Sequence, residues 1–156
     1  MSLESEDRAM RRVVTGVNTD GKSCVIVDGP VRSFGPETLQ FVWRTGQFPA
    51  DNSGSKDIEA GQFDFDRVHS DSSTFLIMDF APGIAPMWHA TDTIDYCIVI
   101  DGDVTLELET GDVTLRAGDV AVDRGVVHSW RNDSGEPARC AFVMIPSLPV
   151  GQGRTV

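Results

Sequence analysis

The 156-residue chain has little positive charge, little histidine and little cysteine. Its 13 lysine and arginine residues face 24 aspartate and glutamate residues, which leaves a net charge of −11. A surface this acidic repels nucleic-acid phosphates and anionic lipid surfaces, so we expect neither as a partner. The apolar runs are much shorter than the ~20 residues of a transmembrane helix, so we expect no membrane span.

The three cysteines, Cys24, Cys97 and Cys140, form no Cys-x-x-Cys pair, which argues against a zinc ribbon or a thioredoxin-like site. Each cysteine has at least one apolar neighbour, a pattern typical of reduced thiols in the core. Residues 1–12 are charged and contain no apolar stretch, so they do not resemble a secretory signal. We therefore expect a cytoplasmic protein.

Apolar and polar residues alternate along most of the chain, a period-2 pattern that predicts strands. A weak helix is expected at 4–10 and a polar loop at 49–61, and the first two strands should pair as a hairpin. Many short strands joined by glycine-rich turns predict an all-β sandwich or barrel. The predicted strands are 12–17, 23–27, 39–44, 63–68, 74–80, 87–90, 94–100, 104–108, 113–115, 120–122, 126–131 and 139–145.

The length fits one domain with a sizeable core. We expect residues 1–156 to form a single domain whose N-terminal strands lie at about 12–44. A barrel should follow at about 62–146, and a loose tail at 147–156.

Two of the three histidines, His89 and His128, lie in the strand-rich region. Side chains two residues apart on a strand share a face, so His89 should lie beside Thr91 and His128 beside Trp130. Asp95 begins the next run and needs a partner if it is buried. Two imidazoles and one carboxylate form a three-ligand face for a divalent ion, so a metal site is expected if these side chains converge. The alternative is that each histidine only forms hydrogen bonds within the core.

The spacing of these residues resembles the first motif of the cupin family, G-x5-H-x-H-x3–4-E-x6-G. This chain has Gly83, His89, Thr91, Asp95 and Gly102 at the corresponding places. The spacing is kept throughout, while a threonine replaces the second histidine and an aspartate replaces the glutamate.

The second cupin motif, G-x5-P-x-G-x2-H-x3-N, is matched by Gly118, Gly125, His128 and Asn132. Arg124 stands where proline is usual, and the stretch before Gly125 is one residue short. The two motifs and the strands between them cover residues 83–132, about a third of the chain.

The resemblance implies an all-β fold, a single cupin jelly-roll barrel with N-terminal accessory strands. It also implies a divalent metal ion, Fe, Mn, Ni or Zn, held by His89, Asp95 and His128, which would then be the catalytic residues. Because the hydroxyl of Thr91 is a poor ligand for such an ion, weak metal binding and a metal-free pocket both stay open.

We expect the pocket to hold one small organic molecule and to be lined by Met87, Thr91, Cys97 and Trp130. With a metal, the implied chemistry is that of an isomerase, a lyase or decarboxylase, or a dioxygenase acting on a carbonyl compound, an acid or an aromatic metabolite. Without a metal, the protein would bind a ligand or use His89, Asp95 and His128 as acid and base. A third alternative is a filled pocket in a dimerising scaffold.

Two further residues bear on the pocket. His69 could reach the barrel mouth as a general acid or base, although we favour a surface position. Tyr96 falls out of phase with Asp95, so we expect it to pack outside the ligand face. Cupins often pair through N-terminal strands, so residues 12–44 are expected to form the contact of a homodimer.

Overall fold

The computed structural model of the protein describes residues 10–33, 39–58 and 63–156. The expected helix at 4–10 lies outside the described residues except for Met10. Within the described part, one short helix, α1, accompanies the strands, and no helix there has the length and apolar character to cross a membrane. The elements are β1 Arg11–Val17, β2 Ser23–Pro30, β3 Arg32–Ser33, β4 Leu39–Arg44, α1 Phe65–Val68, β5 Thr74–Phe80, β6 Thr93–Asp101, β7 Asp103–Leu108, β8 Gly111–Arg116, β9 Val120–Asp123, β10 His128–Arg131 and β11 Ala138–Pro146.

The strands form three antiparallel sheets. The largest has six strands in the order β3-β4-β5-β11-β6-β9, and a three-stranded sheet has the order β10-β7-β8. Buried residues of these two sheets pack into one core, which includes Leu76, Cys97 and Phe142 from the first sheet and Val104 and Leu115 from the second. The protein is therefore an all-β jelly-roll sandwich, and the predicted fold class is confirmed.

Alternation along β6 shows why this strand separates core from surface. Asp95, Cys97 and Val99 are buried, while Tyr96 and Ile98 between them are 46% and 50% exposed. The sequence phase therefore assigns Asp95 to the interior and Tyr96 to the outer face, as expected.

The predicted hairpin is present as β1 and β2, which form a separate two-stranded sheet. Buried Arg12 on β1 ties this hairpin to the larger sheet, because its guanidinium donates to the Val42 carbonyl at 3.2 Å and to the Asp57 carboxylate at 2.6 and 2.9 Å. The other face of the hairpin exposes Val13 and Val17, at 48% and 52%.

Two predicted strands are wrong. Residues 63–68, read as a strand from their alternation, contain α1 instead, because the Asp64 side chain accepts the Asp66 backbone N–H at 2.9 Å and caps the helix. Residues 87–90 form no regular strand, and His89 makes one isolated bridge to His128. A cap within the segment itself decides the first case, and in the second the single bridge to His128 does not extend into a ladder.

The tail at 147–156, expected to be loose, is hydrogen-bonded to the segment that follows His89. Thr155 and Ala90 exchange two hydrogen bonds of 2.9 Å, one through the Thr155 hydroxyl and one through its backbone N–H. The backbone N–H of Arg154 donates to the Asp92 carboxylate at 2.9 Å. These contacts hold the tail against the edge of the barrel.

Candidate functional site

The two motif histidines lie side by side. The backbone N–H of each donates to the carbonyl of the other at 2.9 Å, which joins the segment carrying His89 to the first residue of β10, His128. Their ring centroids are 4.5 Å apart, with 52° between the ring planes. His128 is buried, and His89 is partly exposed.

Hydrogen bonds to backbone carbonyls set the tautomer of both rings. Nδ1 of His89 lies 2.8 Å from the Met87 carbonyl oxygen, and Nδ1 of His128 lies 2.8 Å from the Val126 carbonyl oxygen. A carbonyl oxygen only accepts, so each Nδ1 carries the proton and, in a neutral ring, Nε2 keeps its lone pair. No hydrogen bond within the described part of the chain engages Nε2 of either ring. Both atoms are thus available to a ligand.

Asp123, the last residue of β9, is the carboxylate closest to this pair. Its Oδ2 lies 2.9 Å from Nδ1 of His128, and both side chains are at most 3% exposed. Oδ1 accepts the backbone N–H groups of Gly125 and Val126, whereas Oδ2 has no well-aligned hydrogen-bond donor among the described residues. The contact with His128, an ion pair when its ring is protonated, is therefore what offsets the burial of this oxygen.

These surroundings shift the pKa values of the two imidazoles in opposite directions. Burial alone would lower the pKa of His128, but the contact and charge of Asp123, together with the Val126 carbonyl and the charge of Asp95, outweigh burial and raise it. Burial lowers the pKa of His89, and the neighbouring His128 lowers it further. His128 is thus the more basic ring of the pair, and His89 is the less basic one.

Asp95 lies on β6 directly opposite Asp123 in the strand register. It is 7% exposed, and its Oδ1 accepts the Thr93 hydroxyl at 2.7 Å. Burial raises the pKa of Asp95 to about 6, and the charge of Asp123 adds to the rise, while the Thr93 hydrogen bond opposes it. The Thr91 hydroxyl contacts that of Thr93 at 2.8 Å, so Thr91 supports Asp95 through Thr93.

Gly125 allows the two motif segments to meet. Its φ of +75° favours glycine, and a Cβ there would lie 2.5 Å from the Thr91 carbonyl oxygen and 3.0 Å from that of Thr93. The glycine therefore lets the turn before His128 lie against the segment that carries Thr91.

The residues predicted to line the pocket differ in how deeply they are buried. Thr91 and Cys97 are each 1% exposed, and Trp130 packs edge-on against His128 with ring centroids 6.2 Å apart. Met87 is 52% exposed, so its side chain does not belong to the buried lining, and it contributes its backbone carbonyl to His89.

His69 lies away from the imidazole pair. Its Nε2 accepts the Asp92 backbone N–H at 3.1 Å, and its Nδ1 contacts the Arg154 guanidinium at 2.8 Å.

The sequence argument missed Asp123, although the alternation of β9 places Ala121 and Asp123 on the same, more buried face.

Across residues 10–33, 39–58 and 63–156, no three His, Cys, Asp or Glu side chains are arranged to hold a metal ion. The unengaged Nε2 atoms of His89 and His128 suit a divalent ion, but Asp95 is not in place as a third ligand. The residues therefore do not fit a complete three-ligand centre, and the predicted metal triad stays a prediction.

Comparison with known proteins identifies the family of the chain. A family model described as "Cupin domain" matches residues 76–145. The "Cupin-domain-containing oxidoreductase fogC" of Aspergillus ruber is 30% identical over 144 residues, which cover 86% of this chain and 71% of that protein. The "Cupin-domain-containing oxidoreductase virC" of Hypocrea virens is 30% identical over 149 residues, which cover 89% and 77%.

A more similar but shorter match is the "Oryzines biosynthesis cluster protein J" of Aspergillus oryzae, 45% identical over 75 residues. That match covers 47% of this chain and 42% of the relative, so it spans less than half of that protein. The matches to fogC and virC, the family model and the two motifs around His89 and His128 agree, and the chain belongs to the cupin family.

Proposed function

We propose that this cupin is an enzyme that moves a proton on a small carbonyl- or hydroxyl-bearing metabolite, with His89 as the base and His128 as the acid. The observation that carries the proposal is the pair of adjacent imidazoles whose pKa values are shifted in opposite directions. Neighbouring titratable groups with separated pKa values are the usual arrangement for acid–base catalysis at neutral pH.

Each residue has a role that follows from its contacts. Neutral His89 would take a proton at Nε2, because its Nδ1 is committed to the Met87 carbonyl. Protonated His128 would donate from Nε2 to a substrate oxygen, while the Val126 carbonyl accepts its Nδ1–H and the nearby Asp123 carboxylate stabilises the imidazolium. Asp95, with a pKa near 6, would exchange a proton readily near neutral pH.

The names of the relatives support an enzyme-like role. Two of them are called cupin-domain-containing oxidoreductases, and a third is called a biosynthesis cluster protein. Oxidation of an enolisable carbonyl compound requires removal of a proton as well as an electron acceptor. The His89–His128 pair would supply the proton transfer in such a reaction.

A metal-dependent cupin enzyme is the second candidate, favoured by the two unengaged Nε2 atoms. An Fe, Mn, Ni or Zn ion would be held by His89 and His128, and Asp95 would have to move to serve as the third protein ligand, since no three such side chains are arranged for a metal within the described residues. When bound, such an ion would act as a Lewis acid or activate O₂, which fits isomerase, lyase, decarboxylase or dioxygenase chemistry.

Proton exchange in D₂O separates the two candidates. Chelator-treated protein would be incubated with small ketones and 2-oxo acids, and loss of the α-proton signal followed by ¹H NMR. We expect exchange above the buffer rate, slowed at least about 100-fold by His89→Gln or His128→Gln but unchanged by the control His69→Gln. Exchange that appears only after Fe²⁺, Mn²⁺, Ni²⁺ or Zn²⁺ is added would favour the metal-dependent enzyme. No exchange under any of these conditions would contradict both.

We also propose a cytoplasmic homodimer. The described cysteines are free, with Cys97 and Cys140 buried, which suits a reducing compartment. The exposed valines of the β1–β2 hairpin offer an apolar face for a second copy. Analytical ultracentrifugation should give twice the 17.0 kDa mass of one chain, whereas a monomer at all concentrations would contradict the dimer.

A further inference from the structure

The backbone of the segment that carries His89 is held from two sides. On one side, His89 exchanges two hydrogen bonds of 2.9 Å with His128, the first residue of β10. This bridge is isolated, because residues 87–90 form no regular strand. One bridge holds a segment less firmly than a ladder of paired residues does. The position of His89 therefore also depends on what the other side of the segment contacts.

The tail at 147–156 provides the contacts on that other side. Ala90, the residue after His89, is 2% exposed. Its backbone N–H donates to the Thr155 hydroxyl at 2.9 Å, and its carbonyl accepts the Thr155 backbone N–H at 2.9 Å. A buried backbone donor and acceptor both need partners, and Thr155 supplies the two that Ala90 requires.

The tail contacts the same segment again two residues further on. The Ser147 backbone N–H donates to the Asp92 carbonyl at 2.8 Å, and the Arg154 backbone N–H donates to the Asp92 carboxylate at 2.9 Å. In the described part of the chain, the tail thus makes more hydrogen bonds to residues 89–92 than β10 does.

The guanidinium of Arg154 adds little to this hold. It lies 3.4 Å from the Asp66 carboxylate of α1, but the two side chains are 42% and 83% exposed, so water screens the ion pair. It also lies 2.8 Å from Nδ1 of His69, whose Nε2 accepts the Asp92 backbone N–H. A neutral imidazole accepts at one nitrogen only, so the two contacts with His69 compete. The tail therefore holds its neighbouring segment mainly through the backbone of that segment.

We propose that the tail is a strap that keeps the two imidazoles paired, and that its release lets the His89 segment move away from β10. In the released state, water would reach the N–H and carbonyl of Ala90 and replace Thr155, so no buried polar group would be left without a partner. Thr155 is then a positioning residue that acts on His89 through Ala90. Control of the acid–base pair by the tail rests on the proposed function, whereas the hold of the tail on His89 does not.

The test is amide hydrogen exchange of the full chain, followed by ¹H–¹⁵N NMR. Thr155→Val removes the hydroxyl that accepts from Ala90 and keeps the size of the side chain. We expect this variant to speed exchange at the His89 and His128 amides by about tenfold more than at the amides of the core strand β11. Thr155→Ser, which keeps the hydroxyl, should exchange like wild type, as should the control Thr110→Val in an exposed turn.

Two results in Thr155→Val would overturn the proposal. One is exchange at His89 and His128 at the wild-type rate, and the other is an increase no larger than that in β11, which would be a global loss of stability. If Thr155→Val does not fold, Asp92→Ala, which removes the acceptor of a second hydrogen bond from the tail, is measured against the same criteria.

α-Proton exchange on the substrate separates the strap from the proposed function. If wild type catalyses this exchange, Thr155→Val should slow it and Thr155→Ser should not, and an equal rate in Thr155→Val would contradict control by the tail. Faster amide exchange at His89 in a protein that exchanges no α-proton would contradict the proposed function and leave the strap standing.

Discussion

Replacing Asp95 with asparagine should stabilise the protein at neutral pH and have little effect at acid pH. The folded-state pKa of Asp95 is about 6, against 3.8 for an ordinary aspartate, so the folded chain binds more protons than the unfolded chain between these values. The contribution of the Asp95 side chain to the free energy of unfolding is therefore fully present below about pH 4 and is lost as the pH rises through 6. An asparagine of the same size does not ionise and escapes this loss.

The size of the expected stabilisation follows from the pKa shift of Asp95. A difference of about 2.2 pKa units at about 1.36 kcal/mol per unit gives roughly 3 kcal/mol at most, and a weaker Thr93 hydrogen bond in the variant would reduce the gain. We expect Asp95→Asn to be more stable than wild type by about 1–3 kcal/mol at pH 7.5. The assay is urea unfolding of chelator-treated protein at half-unit steps from pH 4 to pH 8.

Asp101→Asn, at the exposed end of the same strand, is the matched control. Its difference from wild type should stay within about 0.5 kcal/mol across the range. The reasoning would be refuted if the difference between Asp95→Asn and wild type were independent of pH, or if the variant lost stability most at pH 7.5.

Two further substitutions test the packing around the site. Gly125→Ala should lower the free energy of unfolding in urea by more than about 2 kcal/mol, because its Cβ would lie 2.5 Å from the Thr91 carbonyl oxygen. The control Gly118→Ala also has a positive φ, +92°, but its Cβ would have nothing within 4 Å, so it should lower that free energy by about 1 kcal/mol. Equal costs would contradict the close approach. Asn132→Ala should lower stability by about 2–4 kcal/mol in thermal or urea unfolding, because its buried amide donates to the Phe80 carbonyl at 2.8 Å and to a second carbonyl at 2.9 Å. A loss below 1 kcal/mol would show that water replaces those bonds.

Much of the fold follows from alternation, because a strand in one of two packed sheets buries the side chains that face the other sheet and exposes those on the opposite face. Alternation of burial is clearest along β6, Thr93–Asp101, and the strands Thr74–Phe80 and Leu39–Arg44 match their predicted bounds. The prediction of a strand at 63–68 was wrong because the spacing of its apolar residues also fits one helical turn. The Asp64 cap favours the helix over the strand. The tail makes hydrogen bonds to Ala90 and Asp92, which are distant in sequence, and no local pattern indicates such bonds.

The site could be predicted only in part. Motif spacing identified His89 and His128, which the fold brings into contact, and Asp95, which it buries nearby. The carboxylate in contact with His128 is Asp123, and strand pairing between β6 and β9 rather than sequence spacing places it opposite Asp95.

The most direct test of the account is the titration of the three histidines by ¹⁵N NMR, with His69→Gln used to assign the third ring. We predict that His128 titrates above 6.5, that His89 titrates below 6.5, and that Asp123→Asn lowers the pKa of His128. Titration of His89 above His128, or an unchanged His128 in Asp123→Asn, would contradict the assignment of acid and base on which the account depends.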